Sequence, residues 1–399
     1  MKIEMLSTGD EVLYGQITDT NAVWLADTLF AQGLAMTHRS TVGDALSDLV
    51  EELQQRSQVA DVLIVNGGLG PTSDDLSAQA AALACGVPLV RDEEWLGRIE
   101  AFFSQRGQVM AVQNRKQADI PQYGERLDNR IGTACGFCVT LNQCQIFFTP
   151  GVPSEFKVMV TEQILPRLKA RFTLPSPPCC LRLTTFGRGE SSLAALLEPL
   201  ILPEQVVIGY RAAMPVVEIK LTGPQSAQVA MQGVWQQIRE QVAEWIIFEG
   251  TDGLPAALGV ALRDNHARLA VSETVTGGLL HWQLASANVP LAGGECPVIA
   301  EESLPQLMAR SRALAELQQT QWVLVVGGHD PREPSICLIT PQQQVAQQLV
   351  FTSDRHSPQL RQELLCTLAM TMLQRAIQGR SLPQTPGWLE VREQILNDR

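Results

Sequence analysis

Several residue types are missing from places where common chemistries need them. No run of about 18 uninterrupted apolar residues occurs, and the opening Met1-Lys2-Ile3-Glu4-Met5-Leu6 carries no basic, apolar, small-residue export pattern. The expectation is a cytoplasmic protein with no membrane partner. Basic charge is in deficit: 30 Lys and Arg against 42 Asp and Glu give a net charge of −12. That balance argues against broad nucleic-acid binding, although a local site can oppose the global sign and take a nucleotide. The nine cysteines are an odd number in a chain without an export pattern, so free thiols are expected. Cys135-Gly136-Phe137-Cys138 with Cys144 nearby lacks the second pair that would complete a zinc set, and these read as small buried residues. Lysine stops at Lys220 and tyrosine at Tyr210, which removes both as catalytic groups from everything that follows.

What is present is an ordinary globular composition, 45% hydrophobic and 18% charged over 399 residues. At roughly 100–200 residues per domain this length corresponds to two to four domains. The most informative stretch is Asn66-Gly67-Gly68-Leu69-Gly70-Pro71-Thr72-Ser73-Asp74-Asp75, which follows the apolar run 62–65 and leads into a helical stretch ending near Gly86. Strand, glycine-rich turn and helix together form the phosphate-binding pattern of α/β proteins. Glycines let backbone N–H groups approach an anion, Pro71 and Thr72 fit a helix start, and a helix N-terminus favours negative charge. Asp74 and Asp75 add a second reading. A phosphate held through a divalent cation wants carboxylate oxygens, whereas the alternative is that both merely favour the helix dipole in its first turn.

Residues 2–7 read as a buried strand, and Ala22, Leu25, Ala26, Leu29 and Phe30 fall at helical spacing before Gly33. A further periodic stretch covers 45–56, ahead of the strand at 62–65. This alternation predicts a parallel sheet with helices on both faces, and ligands in such sheets collect beyond the carboxyl ends of the strands. Gly9-Asp10-Glu11 and the loop 67–75 both emerge there. Asn114-Arg115-Lys116-Gln117, Gly132-Thr133-Ala134 and Pro150-Gly151-Val152-Pro153-Ser154-Glu155 are candidates for the same pocket.

In this order, and with Ser7-Thr8-Gly9-Asp10-Glu11 and Gly15 followed by Asp19-Thr20-Asn21, these motifs resemble the N-terminal domain of the CinA family, which is similar to the MoaB/MogA molybdopterin-binding domain. Departures from the pattern are Ser77 for threonine, Cys135 for proline and Thr149 for leucine, and none removes a charge. The resemblance implies an α/β fold in three parts. A three-layer, parallel-sheet MoaB/MogA-like domain spans 1–170, a small α+β KH-like connector spans 175–250, and a second α/β domain of deamidase type spans 254–399. It also implies divalent-metal-dependent hydrolysis of ADP-ribose to AMP and ribose 5-phosphate, with Mg, Mn or Co as the metal, a small-molecule nucleotide ligand and a homodimer.

On that reading Asp74 and Asp75 bind metal or activate water, Lys116 stabilises negative charge, and Asp10, Glu11 and Glu155 are further metal or ribose ligands. Gly67, Gly68 and Gly70 amides take phosphate, and Thr72, Ser73, Gly9 and Asn21 complete the phosphate and nucleotide contacts. For Lys116 a solvated surface role stands beside the functional one, as a turn role does for Asp10 and Glu11. A binding module of the molybdopterin type needs the same glycines and acids without turnover, and fold alone does not separate the two.

Pro175, Pro177 and Pro178 mark a linker, after which 181–186, 191–200, 206–210 and 216–221 read as strand, helix, strand, strand, with a helix over 225–244. The segment resembles the KH-like connector of CinA proteins through Phe186-Gly187-Arg188-Gly189-Glu190-Ser191, but no GxxG loop lies amid basic residues, so a spacer or dimerisation role is expected rather than RNA binding. Further on, Glu273-Thr274-Val275-Thr276-Gly277-Gly278 resembles the nucleophile motif of nicotinamide mononucleotide (NMN) deamidases, whose pattern is Ala-Glu-Ser-X-Thr-Gly-Gly. Here the serine position holds Thr274, and the lysine and tyrosine that support it in the family have no counterpart beyond Lys220. Gly327-Gly328-His329-Asp330-Pro331 replaces another landmark, while Arg355 and Arg361 keep a basic pattern. His281, His329 and His356 are chemically suited to act as a base, but their spacing shows no partner for Thr274. The expectation is a degenerate deamidase domain with a structural, oligomerising or ligand-sensing role; active NMN deamidation is the alternative.

Overall fold

Apolar residues alternate along the first strands so that successive side chains enter different cores. In Ile3–Thr8, Ile3 and Met5 pack with Leu25, Leu29 and Phe156, whereas Leu6 packs with Leu49, Leu53 and Trp95 on the other face. Val62 and Ile64 against Leu63 and Val65 repeat the division in Val62–Asn66, and Phe147 against Phe148 repeats it in Cys144–Thr149. This period of two, buried on both sides, is what makes a three-layer α/β unit. The computed structural model describes residues 1–398 apart from 300, 329, 331 and 384.

The chain divides into two compact units, Met1–Pro178 and Cys179–Arg399. In the first, six strands run in the order Met36–Val42, Ile3–Thr8, Val62–Asn66, Cys144–Thr149, Gly136–Leu141, Glu125–Leu127. The first four are parallel; the last two are antiparallel and were not legible as sheet from hydrophobic pattern. A two-residue turn at Asn142-Gln143, both at positive φ, makes that reversal. The register pairs Ser7 with Asn66 and Asn66 with Thr149, so three strands end level and deliver Gly9, Gly67 and Pro150 to one edge.

The second unit holds two sheets. Val207–Ala213, Val216–Gly223, Cys179–Phe186 and Ile246–Glu249 form an antiparallel sheet in that order. Leu291–Glu295, Leu269–Glu273 and Trp322–Gly327 are parallel and continue into antiparallel Ser335–Ile339, Gln343–Phe351 and Leu389–Asp398. Phe186 and Ile247 of the smaller sheet join the core formed by Leu254–Asp264, Leu279–Ser286 and Pro358–Ile377. Arg375, 5% exposed, reinforces the joint by donating to the Glu244 carbonyl at 2.9 Å and to its carboxylate at 2.8 Å. Among the described residues no helix is long and apolar enough to cross a membrane.

One element departs from expectation where it matters most. The helix after the glycine loop begins at Ser77, not at Pro71 or Thr72. The Asp75 carboxylate accepts the Thr72 N–H at 2.8 Å and the Thr72 hydroxyl at 2.5 Å, and Asp75 N–H reaches back to the Thr72 carbonyl at 3.3 Å. Residues 72–75 therefore close a local turn that competes with helix, as short polar side chains do. Asp74 and Asp75 belong to that turn, and the reading of both as first-turn residues favouring the helix dipole is corrected.

Candidate functional site

The level strand ends are tied together by two buried asparagines. Asn66 accepts from Asn21 Nδ2 at 2.9 Å and donates to the Pro150 carbonyl at 2.7 Å, while Asn21 Nδ2 also reaches the Gly151 carbonyl at 2.8 Å. Gly67 sits at φ 115°, and a Cβ there would stand 2.6 Å from Thr8 Oγ1; Gly68, at φ 66°, would meet Ser77 Oγ at 2.3 Å. Only glycine permits this approach of loop to strand and helix. Thr8 Oγ1 and Asn21 Oδ1 are buried in the same wall without a hydrogen-bond partner.

These loops enclose a cavity of 440 Å³. Six carboxylates line it, those of Glu11, Asp19, Asp44, Asp74, Asp75 and Glu155, and no Lys or Arg does. Several are committed to the scaffold. Asp19 caps the helix Thr20–Ala31 through Ala22 N–H and accepts from Ser7 and Arg39, and Glu155 accepts from Asn129 Nδ2 at 2.6 Å. Asp75 holds the Thr72 turn. Glu11 accepts no hydrogen bond from another described residue, and Asp74 is engaged only by the Thr72 hydroxyl and its own backbone.

Sequence reasoning named Asp10 and missed Asp44. Asp10 N–H donates to Asp44 Oδ2 at 3.1 Å and Asp44 N–H returns a bond to Asp10 Oδ1 at 3.2 Å. The exchange leaves Asp44, not Asp10, on the cavity wall. Burial pushes the Asp44 carboxyl up from its ordinary value, and the charges of Asp10, Glu11 and Asp74 push the same way against the Asp10 N–H. Asp74 is held below its ordinary value, first by the nearby Thr72 hydroxyl and its own backbone, with the Lys116 charge assisting.

The backbone amides divide in a way no spacing could reveal. Gly9 N–H is bonded to Val42 O and Gly67 N–H to Thr149 O, so neither is available to a ligand. Gly68, Leu69 and Gly70 all line the cavity, and their N–H groups donate to no described residue. Three successive unused N–H groups beside a positive-φ glycine are the elements from which anion-binding concavities are built. Thr72, Ser73 and Lys116 lie outside the lining. Lys116 Nζ donates instead to the carbonyls of Thr72 and Asp75, the latter at 3.0 Å, and so tethers the acidic turn.

Among the described residues no three Asp, Glu, His or Cys stand close enough to form a metal cage. Asp10, Glu11, Asp74, Asp75 and Glu155 are therefore not gathered into one coordination sphere. The donor set still fits a hard cation of the Mg²⁺ kind, which takes one or two carboxylates and completes its shell with water and substrate phosphate. Burial pushes the Cys135, Cys138 and Cys144 thiols up to about 12, and among the described residues no cysteine joins a group of three side chains able to hold a metal.

In the second unit Thr274 follows the strand Leu269–Glu273, its N–H bonded to Val326 O and its hydroxyl donating to Gly328 O, each at 2.9 Å. Glu273 is buried and accepts from Thr276 Oγ1, Leu280 N–H and His281 N–H, serving the helix Leu279–Ser286. His356 packs its ring near Phe351 and Trp388. His329 and Pro331 lie outside the described residues. The 280 Å³ cavity beside Gly328 is lined by Glu301, Glu302 and Glu333 and by no Lys, Arg or His among the described residues.

Residues 4–170 match the family described as "Probable molybdopterin binding domain". A CinA-like protein of Shigella flexneri is 52% identical over 99% of this chain and 99% of its own. The Escherichia coli K12 protein named "NMN amidohydrolase-like protein YfaY" is 51% identical with the same coverage. The crystal structure of CinA from Thermoplasma acidophilum is 28% identical, covering 41% of this chain and 96% of that one, with a TM-score of 0.39. With half its residues shared along essentially the whole length of such relatives, the chain belongs to the CinA-like protein family.

Proposed function

We propose that the first unit is a divalent-metal-dependent pyrophosphohydrolase that converts ADP-ribose and water to AMP and ribose 5-phosphate. One observation carries the reading: a cavity that offers three unused N–H groups to an anion and surrounds them with six carboxylates and no basic side chain. Such walls repel a bare pyrophosphate and accept one that arrives with a cation. When bound, the metal supplies neutralisation of the non-bridging oxygens and a more acidic water.

The chain's own residues supply the rest. Gly68, Leu69 and Gly70 orient one phosphoryl group, and the Asn21–Asn66 pair keeps the three loops in register. Glu11, unbonded to any other described residue, and Asp74, which only the Thr72 hydroxyl and its own backbone engage, would hold the cation. Asp75 fixes the turn that presents Asp74 and is itself within reach of the cavity, and Asp44, favouring its protonated form more than an ordinary carboxyl, faces the same space.

A deamidase reading of the second unit takes its support from the name of the Escherichia coli relative. Against it, the Thr274 hydroxyl is engaged by the Gly328 carbonyl, and no lysine follows Lys220 to act as its base. The test is incubation of the full chain with ADP-ribose and with NMN, each with Mg²⁺, Mn²⁺, Co²⁺ or chelator, quantifying AMP and nicotinic acid mononucleotide. Metal-dependent AMP is expected. ADP-ribose that binds in calorimetry but yields no AMP with any metal would replace the hydrolase by a ligand-binding module.

A further inference from the structure

A second cleft, of 490 Å³, lies wholly within residues 179–399, where Val216 and Phe248 of the smaller sheet face the helices Leu254–Asp264, Leu279–Ser286 and Pro358–Ile377. Its floor is apolar and closed, with Ile247, Leu254 and Met370 each at most 3% exposed. At its rim the Trp282 side chain is 64% exposed and makes no ring or cation contact with a described residue. The ionisable groups in the lining are Asp252 and Glu363 alone; both are exposed, and neither carboxylate has an ion-pair or hydrogen-bond partner among the described residues.

Each feature by itself is ordinary. Their combination selects an occupant. The volume falls in the range of small-molecule sites, roughly 300–1,000 Å³. Apolar walls favour a hydrophobic body, two uncompensated carboxylates attract a cation and repel an anion, and an open indole face attracts the same cation through its quadrupole. We propose that this cleft binds a small organic cation, an aromatic amine or quaternary ammonium compound, with its body on the Ile247–Met370 floor and its charge between Trp282 and the carboxylates. A ligand there touches the smaller sheet and the three helices that face it. The site is independent of the hydrolase reading.

Equilibrium dialysis of the full chain against benzyltrimethylammonium, benzyl alcohol and 3-phenylpropionate tests this. The cation is expected to bind saturably, the alcohol more weakly and the anion at least about tenfold more weakly than the cation. Trp282→Ala should weaken the cation roughly fivefold or more. Asp252→Asn combined with Glu363→Gln should erase the preference for cation over alcohol, and all three side chains are exposed, so unchanged thermal unfolding shows that the loss is local. Equal binding of cation and anion, or cation binding indifferent to these substitutions, overturns the proposal. So does sedimentation showing a dimer that Trp282→Ala dissociates, which would make a second copy of the chain the occupant.

Discussion

Replacing Asp75 separates its two duties. Its carboxylate accepts two bonds from Thr72 and has the acidic turn as its product, yet it also lines the cavity beside Asp74. In Asp75→Ala both bonds vanish, but Thr72 is exposed and water replaces its partner, so the cost belongs at the low end, about 1–2 kcal/mol for two hydrogen bonds to a charged group. At roughly 2–4 °C per kcal/mol for a unit of this size, Tm falls by about 2–8 °C. Asp75→Asn keeps an acceptor for the Thr72 N–H and should lose less than about 1 kcal/mol. Activity is expected to fall alike in the two variants. Both variants lose the negative charge, and removal of a preorganised electrostatic group costs on the order of 10²–10³ in turnover. The assay is AMP release from ADP-ribose at saturating Mn²⁺ and at a temperature at least 15 °C, roughly twice the larger expected shift, below the variant's own Tm. An Asp75→Asn enzyme that turns over within about threefold of the unaltered chain would refute the charge argument and leave Asp75 a turn residue only.

Lys116→Met removes the tether to the Thr72 and Asp75 carbonyls without emptying the cavity of any lining group; hydrogen exchange over 70–75 should accelerate and turnover should fall about tenfold, the scale of a supporting rather than a contacting residue. Arg375→Ala deletes a buried guanidinium with three backbone or carboxylate partners and should cost about 2–3 kcal/mol by calorimetry of the full chain, with the loss confined to the transition of the second unit. Glu244 is held below its ordinary value first by Arg375 and then by Arg380. A depressed folded value means stability that is present above the ordinary glutamate range, about 4.3, and is lost as pH falls through the folded value, so the Tm gap between the unaltered chain and Glu244→Gln should close on acidification below about pH 4. Thr274→Ser should release no nicotinic acid mononucleotide from NMN, because no lysine exists beyond Lys220 to act as base; measurable product would sink the degenerate reading.

How far the site could be read in the chain follows from what each part depends on. Strands such as Val62–Asn66 and helices such as Thr20–Ala31 announce themselves through apolar period and through caps like Asp19. The glycine loop was legible because Gly67 and Gly68 have no substitute at their φ values. Availability of amides was not. Whether Gly67 N–H is free depends on strand register against Thr149, a partner 82 positions away, and the same holds for Gly9 and Val42. Asp44 was invisible for a related reason, since only the reciprocal bonds with Asp10 decide which of the two turns toward the cavity. The late helix start accompanies the local turn that Asp75 closes on the Thr72 N–H and hydroxyl, which composition does not reveal.

Electrostatics then constrains which species of substrate can use the cavity. The pyrophosphate of ADP-ribose carries two negative charges, and it would approach a protein of net charge −12 and enter walls bearing six carboxylates. At physiological ionic strength, with a screening length of about 8 Å, the distant charges are muted, but those lining the cavity are not. On the proposed reading, a one-to-one complex with a divalent cation would be nearly neutral and meet no such barrier, with carboxylate oxygens available on one side and backbone N–H groups on the other. The acidic walls thus disfavour free phosphates and nucleotides while admitting their metal complexes. A phosphate-binding fold would ordinarily place lysine or arginine here; this one directs Lys116 to the loop carbonyls, which on the proposed reading would leave neutralisation to an ion the substrate brings.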